Sequence, residues 1–252
     1  MAGARRLTNA LARAGSVALL LLVWWVAAAG IGDRALPGPG AVLDVLVEET
    51  ASGALPYHLG VTLARVAVAF ALAMAAGCAL GLLMGRFRAA DLLLDSWVLL
   101  LLNLPALVVA VLLYVWFGLT EAAAIAAVAI NKLPTVAVTL REGARALDPD
   151  YARLAHAFRL PPWRRLRHVV MPQLAPYVVA AARTGLSLIW KIVLVVELLG
   201  RSDGVGFQVG LYFQLFAIAH ILAYALAFAA VVQAIEWGAL QPLELRAARW
   251  RG

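Results

Sequence analysis

The sequence predicts an all-α membrane protein of about six transmembrane helices. Three observations carry that expectation. Hydrophobic residues make up 64% of the 252-residue chain and charged residues only 14%, whereas soluble domains run at about 45–50% and about 25%. Polar residues must cover the exterior of a water-soluble fold, so that much apolar surface needs lipid as its solvent. The apolar residues also gather into six runs, at about residues 16–32, 59–84, 92–119, 121–140, 177–199 and 215–238, most of them near the ~20 residues of a helical crossing. Finally, the charges lie between these runs and are distributed unequally about them.

The first run is short. It follows Arg5, Arg6 and Arg13 and ends in Ala27-Ala28-Ala29-Gly30, which is also the shape of a signal peptide with a small-residue cleavage site. The polytopic remainder favours a retained span. In the segment 36–57, Pro37-Gly38-Pro39-Gly40 forbids regular structure, and Val42, Leu43, Leu46 and Val47 then recur at helical spacing. A short amphipathic helix on the outer surface follows. The second run carries Ala73, Gly77, Gly81 and Gly85 at intervals of four, a face on which helix backbones approach closely. Asn103 and Pro105 are expected to interrupt the third run, and Asn131, Lys132 and Pro134 the fourth. Such breaks are tolerated where freed backbone groups meet protein or a water-filled path, so Asn103 is a candidate path residue.

With six spans and the N-terminus inside, fifteen of the 21 basic residues fall in cytoplasmic segments. They are Arg5, Arg6, Arg13, Arg86, Arg88, Arg141, Arg145, Arg153, Arg159, Arg164, Arg165, Arg167, Arg246, Arg249 and Arg251. The external segments hold Arg34 and Arg201 with Asp33, Asp44, Glu48, Glu49 and Asp203. The positive-inside rule therefore places both termini in the cytoplasm. It also accounts for the net charge of +7 without nucleic acid, because the basic clusters are short and flank the membrane.

Between the fourth and fifth spans lies a cytoplasmic stretch at about residues 141–176, long for a connection without structure of its own. Asp148-Pro149-Asp150 supplies helix-start chemistry for a helix over 151–158, Leu160-Pro161-Pro162 stops it, and 163–170 begins a second short helix. Pro172 and Pro176 then punctuate entry to the fifth span. Two short helices at a fixed angle form a rigid knob suited to a partner's groove.

Residues 151–207 resemble the cytoplasmic loop and following span of binding-protein-dependent ABC transporter permeases, of the nitrate, sulfonate and taurine branch. The resemblance rests on Ala155, Leu160, Trp163, Arg167, Val169, Met171-Pro172, Pro176-Tyr177, Arg183, Trp190, Glu197-Leu198-Leu199-Gly200 and Gly204-Val205-Gly206-Phe207. Leu36-Pro37, Thr62-Leu63-Ala64-Arg65-Val66 and Trp116-Phe117-Gly118 fit the same pattern, which covers about residues 15–250. Aligned on Trp163, Arg153 and Arg159 stand where the family's loop carries a glutamate and a turn-forming glycine. Arg159 must therefore make its turn differently, assisted by Leu160-Pro161-Pro162.

The resemblance implies a type I ABC importer permease fold, with residues 1–252 as a single permease domain in the cell inner membrane. It implies no catalytic residues and no cofactor, cytoplasmic ATPase subunits as partners, a periplasmic or lipid-anchored solute-binding protein, and a permease homodimer in membrane lipid. The coupling residues would be Arg153, Leu154, Ala155, His156, Ala157, Phe158, Arg159, Leu160, Pro161 and Trp163. ATP-driven closure of the ATPases would move the knobs and switch the path between two arrangements. No Walker motif occurs in the sequence, so nucleotide would bind another chain.

Lys191, midway along the fifth span, must face protein or water, because a central lysine costs about 2.5–3.5 kcal/mol on insertion scales. It suits an anionic cargo, a structural ion pair or snorkelling alike, and the resemblance implies a small anion such as a sulfonate, taurine or nitrate. Glu197 is expected to make a structural hydrogen bond or line the path, Arg65 to snorkel outward, and Arg183 to anchor at the interface. Cys78 is the one cysteine, and His58, His156, His168 and His220 are scattered, so no metal-ligand spacing arises. The rival functions are an ion-coupled secondary transporter, which would show inverted repeats and mid-membrane acids, and an importer of a pyrimidine- or thiamine-like solute.

Overall fold

The computed structural model describes residues 2–32 and 35–240, and among them every regular element is helical. Asp33, Arg34, Arg246, Arg249 and Arg251 lie outside the described residues. The helices are α1 (Ala2–Ile31), α2 (Pro39–Ala51), α3 (Ala54–Arg86), α4 (Arg88–Asn103), α5 (Ala106–Phe117) and α6 (Glu121–Arg145). They continue with α7 (Pro149–Ala157), α8 (Pro162–Arg165), α9 (Met171–Gly200), α10 (Val205–Gln214) and α11 (Ile218–Ile235).

Four stretches are long and apolar enough to cross a membrane: α3, α6, Pro162–Gly200 and Ile218–Gly238. The bent pair α4–α5 makes a fifth if counted as one span, and the apolar part of α1, Gly15–Ile31, is shorter. The expected third span is not one rod. Leu104 is extended (φ −72°, ψ 127°) before Pro105, as the clash of a proline ring with its predecessor requires, and the two halves diverge by 100°. Pro134, by contrast, does not interrupt α6, which runs unbroken through it. Packing against α3 on one side and α9 on the other outweighs the one backbone hydrogen bond that a proline removes.

The α3–α6 contact is the most extensive in the bundle, and the glycine file brings the two backbones close. A methyl group at Gly77 would lie 2.6 Å from Val136 Cβ, one at Gly85 2.5 Å from Ala144 Cβ, and one at Gly81 would collide with the Ala137 carbonyl. Two apolar cores result. One gathers Val66, Ala69, Tyr114, Val128, Ile189, Trp190 and Tyr224. The other, nearer the loop between α6 and α9, holds Val136, Leu140, Leu174 and Ala181.

The second helix expected in that loop is not separate. α8 passes through a π turn, Leu166–Val170, directly into α9, giving one helix of 39 residues from Pro162 to Gly200. The Met171 N–H bonds to the Leu166 carbonyl, and this wider register lets Met171-Pro172 follow without a stop. At the opposite end of the bundle, α2 packs on α3 and α11, and Glu49 accepts hydrogen bonds from Tyr212 (2.9 Å) and Tyr224 (2.7 Å).

Candidate functional site

The loop end is built from a capped helix on the foot of a long one. Asp148 caps α7 by accepting the Asp150 N–H (2.8 Å), with Pro149 at its first position. The Asp148 N–H donates to Gln173 Oε1 (2.9 Å), which fastens α7 to α9. Ala155 is buried beneath α7, while Leu154, Phe158 (71% exposed) and Trp163 (68%) stand out as an apolar patch. His156 and Ala157 are exposed beside them, and Arg153 pairs with Asp150 at 2.7 Å between two largely exposed side chains. Such a pair contributes about 0–1 kcal/mol.

Arg159 makes its turn by taking the left-handed conformation itself, with φ 46°. Its N–H bonds to His156 O (2.9 Å) and the Leu160 N–H reaches back to Ala155 O (2.9 Å). That pair of bonds is the Schellman closure of a helix, in which glycine usually holds the turning position. Leu160 is half-buried and Pro161 exposed, and together they lead the chain into α8.

The opposite end holds a charged cluster. Arg65 does not snorkel; it is 3% exposed and all five of its N–H groups are engaged. Nε and Nη2 hold Glu121 as a fork (2.7 and 2.8 Å). Nη1 donates to Glu197 Oε1 and to the Asp203 carbonyl (both 2.8 Å), and Nη2 also meets the Asp203 carboxylate. Glu197, 0% exposed, accepts further from Thr62 Oγ1 and the Gly206 N–H (both 2.9 Å). Arg201 adds contacts to Glu121 (2.9 Å) and the Leu119 carbonyl (2.6 Å). The cluster thus joins α3, α6, α9 and the turn into α10.

The Gly204-Val205-Gly206 segment wraps that carboxylate. Gly204 has φ 101°, and a side chain there would strike the Glu197 carboxylate. The Val205 N–H donates to Thr62 Oγ1 (2.8 Å), and the Gly204 N–H to His58 Nδ1 (3.0 Å). His58 Nε2 lies 2.6 Å from the Gln208 amide. Removing one partner of the buried Arg65–Glu197 pair costs about 3–5 kcal/mol, because the other charge is left uncompensated.

The remaining candidates are dispersed. Asn103 is exposed and donates to the Leu99 carbonyl of its own helix (2.7 Å). Lys191 is exposed on α9, one face with Arg183 and Ser187. Lys132 is 1% exposed and buried between helices. Sequence reading did not bring Thr62, His58, Glu121 and Asp203 together around Arg65 and Glu197, and it read Lys132 only as a break in the fourth span. The available signal was the pair Arg65 and Glu197: opposite charges inside two apolar runs find each other or water. Among the described residues no group of three His, Cys, Asp or Glu side chains is placed to hold a metal.

The chain is thus a helical membrane bundle with a foot at one end and, at the other, the charges of the Arg65 cluster spent on joining helices. Residues 73–235 match the family model described as "Binding-protein-dependent transport system inner membrane component", and the chain belongs to that family. It is 27% identical over 245 residues to the taurine transport system permease protein TauC of Escherichia coli (94% of this chain, 89% of that one). It is 27% identical over 201 residues to the nitrate import permease protein NrtB of Synechocystis (76% and 73%). Among solved structures, an amino acid ABC transporter crystallised with histidines shares the fold, with a TM-score of 0.62 and 21% identity over 81% of this chain and 97% of that one. The type I importer permease fold follows, in a multi-pass component of the inner membrane that acts with an ATPase and a solute-binding protein and is not itself an enzyme.

Proposed function

We propose that the chain forms the membrane path of an ATP-driven importer for a small anion, such as a sulfonate, taurine or nitrate. The whole chain serves as one permease domain, and two copies enclose the path. The foot built on α7, with Leu154, Phe158 and Trp163, seats in a groove of the ATPase in the cytoplasm, on the side of both termini. The binding protein delivers cargo at the opposite end.

One observation supports the anionic path above others. Arg183, Ser187 and Lys191 succeed each other every four residues on α9 and are all exposed, with Thr184 beside them. Positions i, i+4 and i+8 share one helix face. A charge at mid-membrane depth costs about 2.5–3.5 kcal/mol against lipid, so Lys191 and the face it stands on are turned to a second copy or to water. The names of the taurine and nitrate relatives agree with a cargo that carries an anionic group, the sulfonate of zwitterionic taurine or nitrate itself.

The test is uptake by the complete transporter in vesicles. Lys191→Ala is expected to lower taurine or nitrate uptake at least fivefold while ATPase co-purification stays at the wild-type level. Wild-type uptake of every anion tried would reduce Lys191 to a structural residue.

A further inference from the structure

We propose that Lys132 receives the anionic group of the cargo midway through the membrane, at a site between α6 and α9 distinct from the exposed face around Lys191. The proposal rests on the reading of the cargo as a small anion.

Lys132 sits near the middle of α6, at 1% exposure, and among the described residues its Nζ has no hydrogen-bond partner. Buried polar groups nearly always have partners, and lysine is among the residues least often fully buried. No carboxylate of the described chain is placed to serve. Glu197 is saturated by Arg65, Thr62 and Gly206 and lies twelve positions along α9 from Gly185, about 18 Å at helical rise. Glu121 is held by Arg65 and Arg201, eleven positions along α6, or about 16 Å. Asp91 and Asp95 face Arg141 near the loop end of the bundle. Snorkelling offers no escape from the middle of a span.

The space for the ammonium is made by one missing side chain. A methyl group at Gly185 of α9 would lie 2.7 Å from Lys132 Cε, 3.5 Å from its Nζ and 3.6 Å from the Phe70 ring. The amine therefore rests on bare backbone at a buried position of α9. Separation of α9 from α6 by a few ångströms would open this slot to the path. A cation kept without a partner in the closed arrangement then meets an acceptor that arrives with the cargo.

The experiment uses the complete transporter in vesicles, offered taurine, nitrate and the neutral solute uracil. Wild-type uptake of uracil but of neither solute with an anionic group would overturn the anionic reading itself, and the present proposal with it. With anion uptake established, Lys132→Met is expected to lower it at least tenfold while the thermal unfolding temperature of the purified permease holds or rises. Uptake within twofold of wild type overturns the proposal, and so does a lost uptake accompanied by a lower unfolding temperature. A second measurement is independent of that variant's folding. Cys78→Ser leaves no native thiol, and Lys132→Cys in that background places one at the site. A charged, water-soluble thiol reagent is expected to label it at least fivefold faster during ATP turnover than without ATP. No labelling in any state, or labelling indifferent to ATP, overturns the proposal.

Discussion

Arg159 holds a left-handed backbone conformation at φ 46°, which costs an L-residue roughly 1–2 kcal/mol and costs glycine little. The Schellman bonds of Leu160 and Arg159 to α7 hold it there, so the strain is carried by the loop's closure. Arg159→Gly is therefore expected to stabilise the permease by about 1 kcal/mol, a rise of about 2–4 °C in unfolding temperature for a chain of this size, read by thermal unfolding in detergent. An unchanged or lowered temperature would show that the arginine side chain compensates for its backbone. The sequence made this position visible, since a turn was required where no glycine stood. It did not make Arg65 visible. Arg65 and Glu197 are 132 positions apart, and nothing local says whether a charge near a span's end reaches water or a partner. Lys132 was hidden for the same reason, because Gly185, which makes its room, lies on another helix.

Elements were legible wherever apolar composition alone decided them. The runs at 59–84 and 121–140 became α3 and α6, and Pro105 marked the break between α4 and α5. Prolines were less reliable as stops, because Pro134, Pro172 and Pro176 all lie within continuous helix. A helix packed on both sides, or relaxed by a π turn, absorbs a proline that an isolated helix would not. The glycine file of α3 gives the sharpest test at this scale. Gly81→Leu places a side chain where even a methyl group meets the Ala137 carbonyl and Leu140, and overpacking of this kind costs about 1–3 kcal/mol or more. The variant is expected to show a sharply reduced yield of folded protein on size-exclusion chromatography. Gly60→Leu, on the same helix with nothing within 4 Å, is expected to match wild type. Equal yields would show that α3 and α6 separate at little cost.

For the molecule as a whole, the foot projects from the bundle and exposes Leu154, Phe158 and Trp163, while its fastening to α9 runs through Asp148 and Gln173. Replacing residues 153–163 by a flexible Gly/Ser linker of equal length is expected to abolish co-purification of the ATPase while the unfolding temperature of the bundle changes little. Retained co-purification would place the docking surface elsewhere. The continuity of Pro162–Gly200 has a mechanical consequence. Clamped near its far end by Glu197 in the Arg65 cluster, this helix is a lever with its pivot at one end and its handle at the other. Trp163 stands thirty-four positions from Glu197, about 51 Å at helical rise, and Gly185 only about 18 Å. A 10° swing therefore carries the foot through about 9 Å and Gly185 through about 3 Å. The lever gears a large stroke at its foot down about threefold, to a displacement at mid-depth comparable to the size of a small anion.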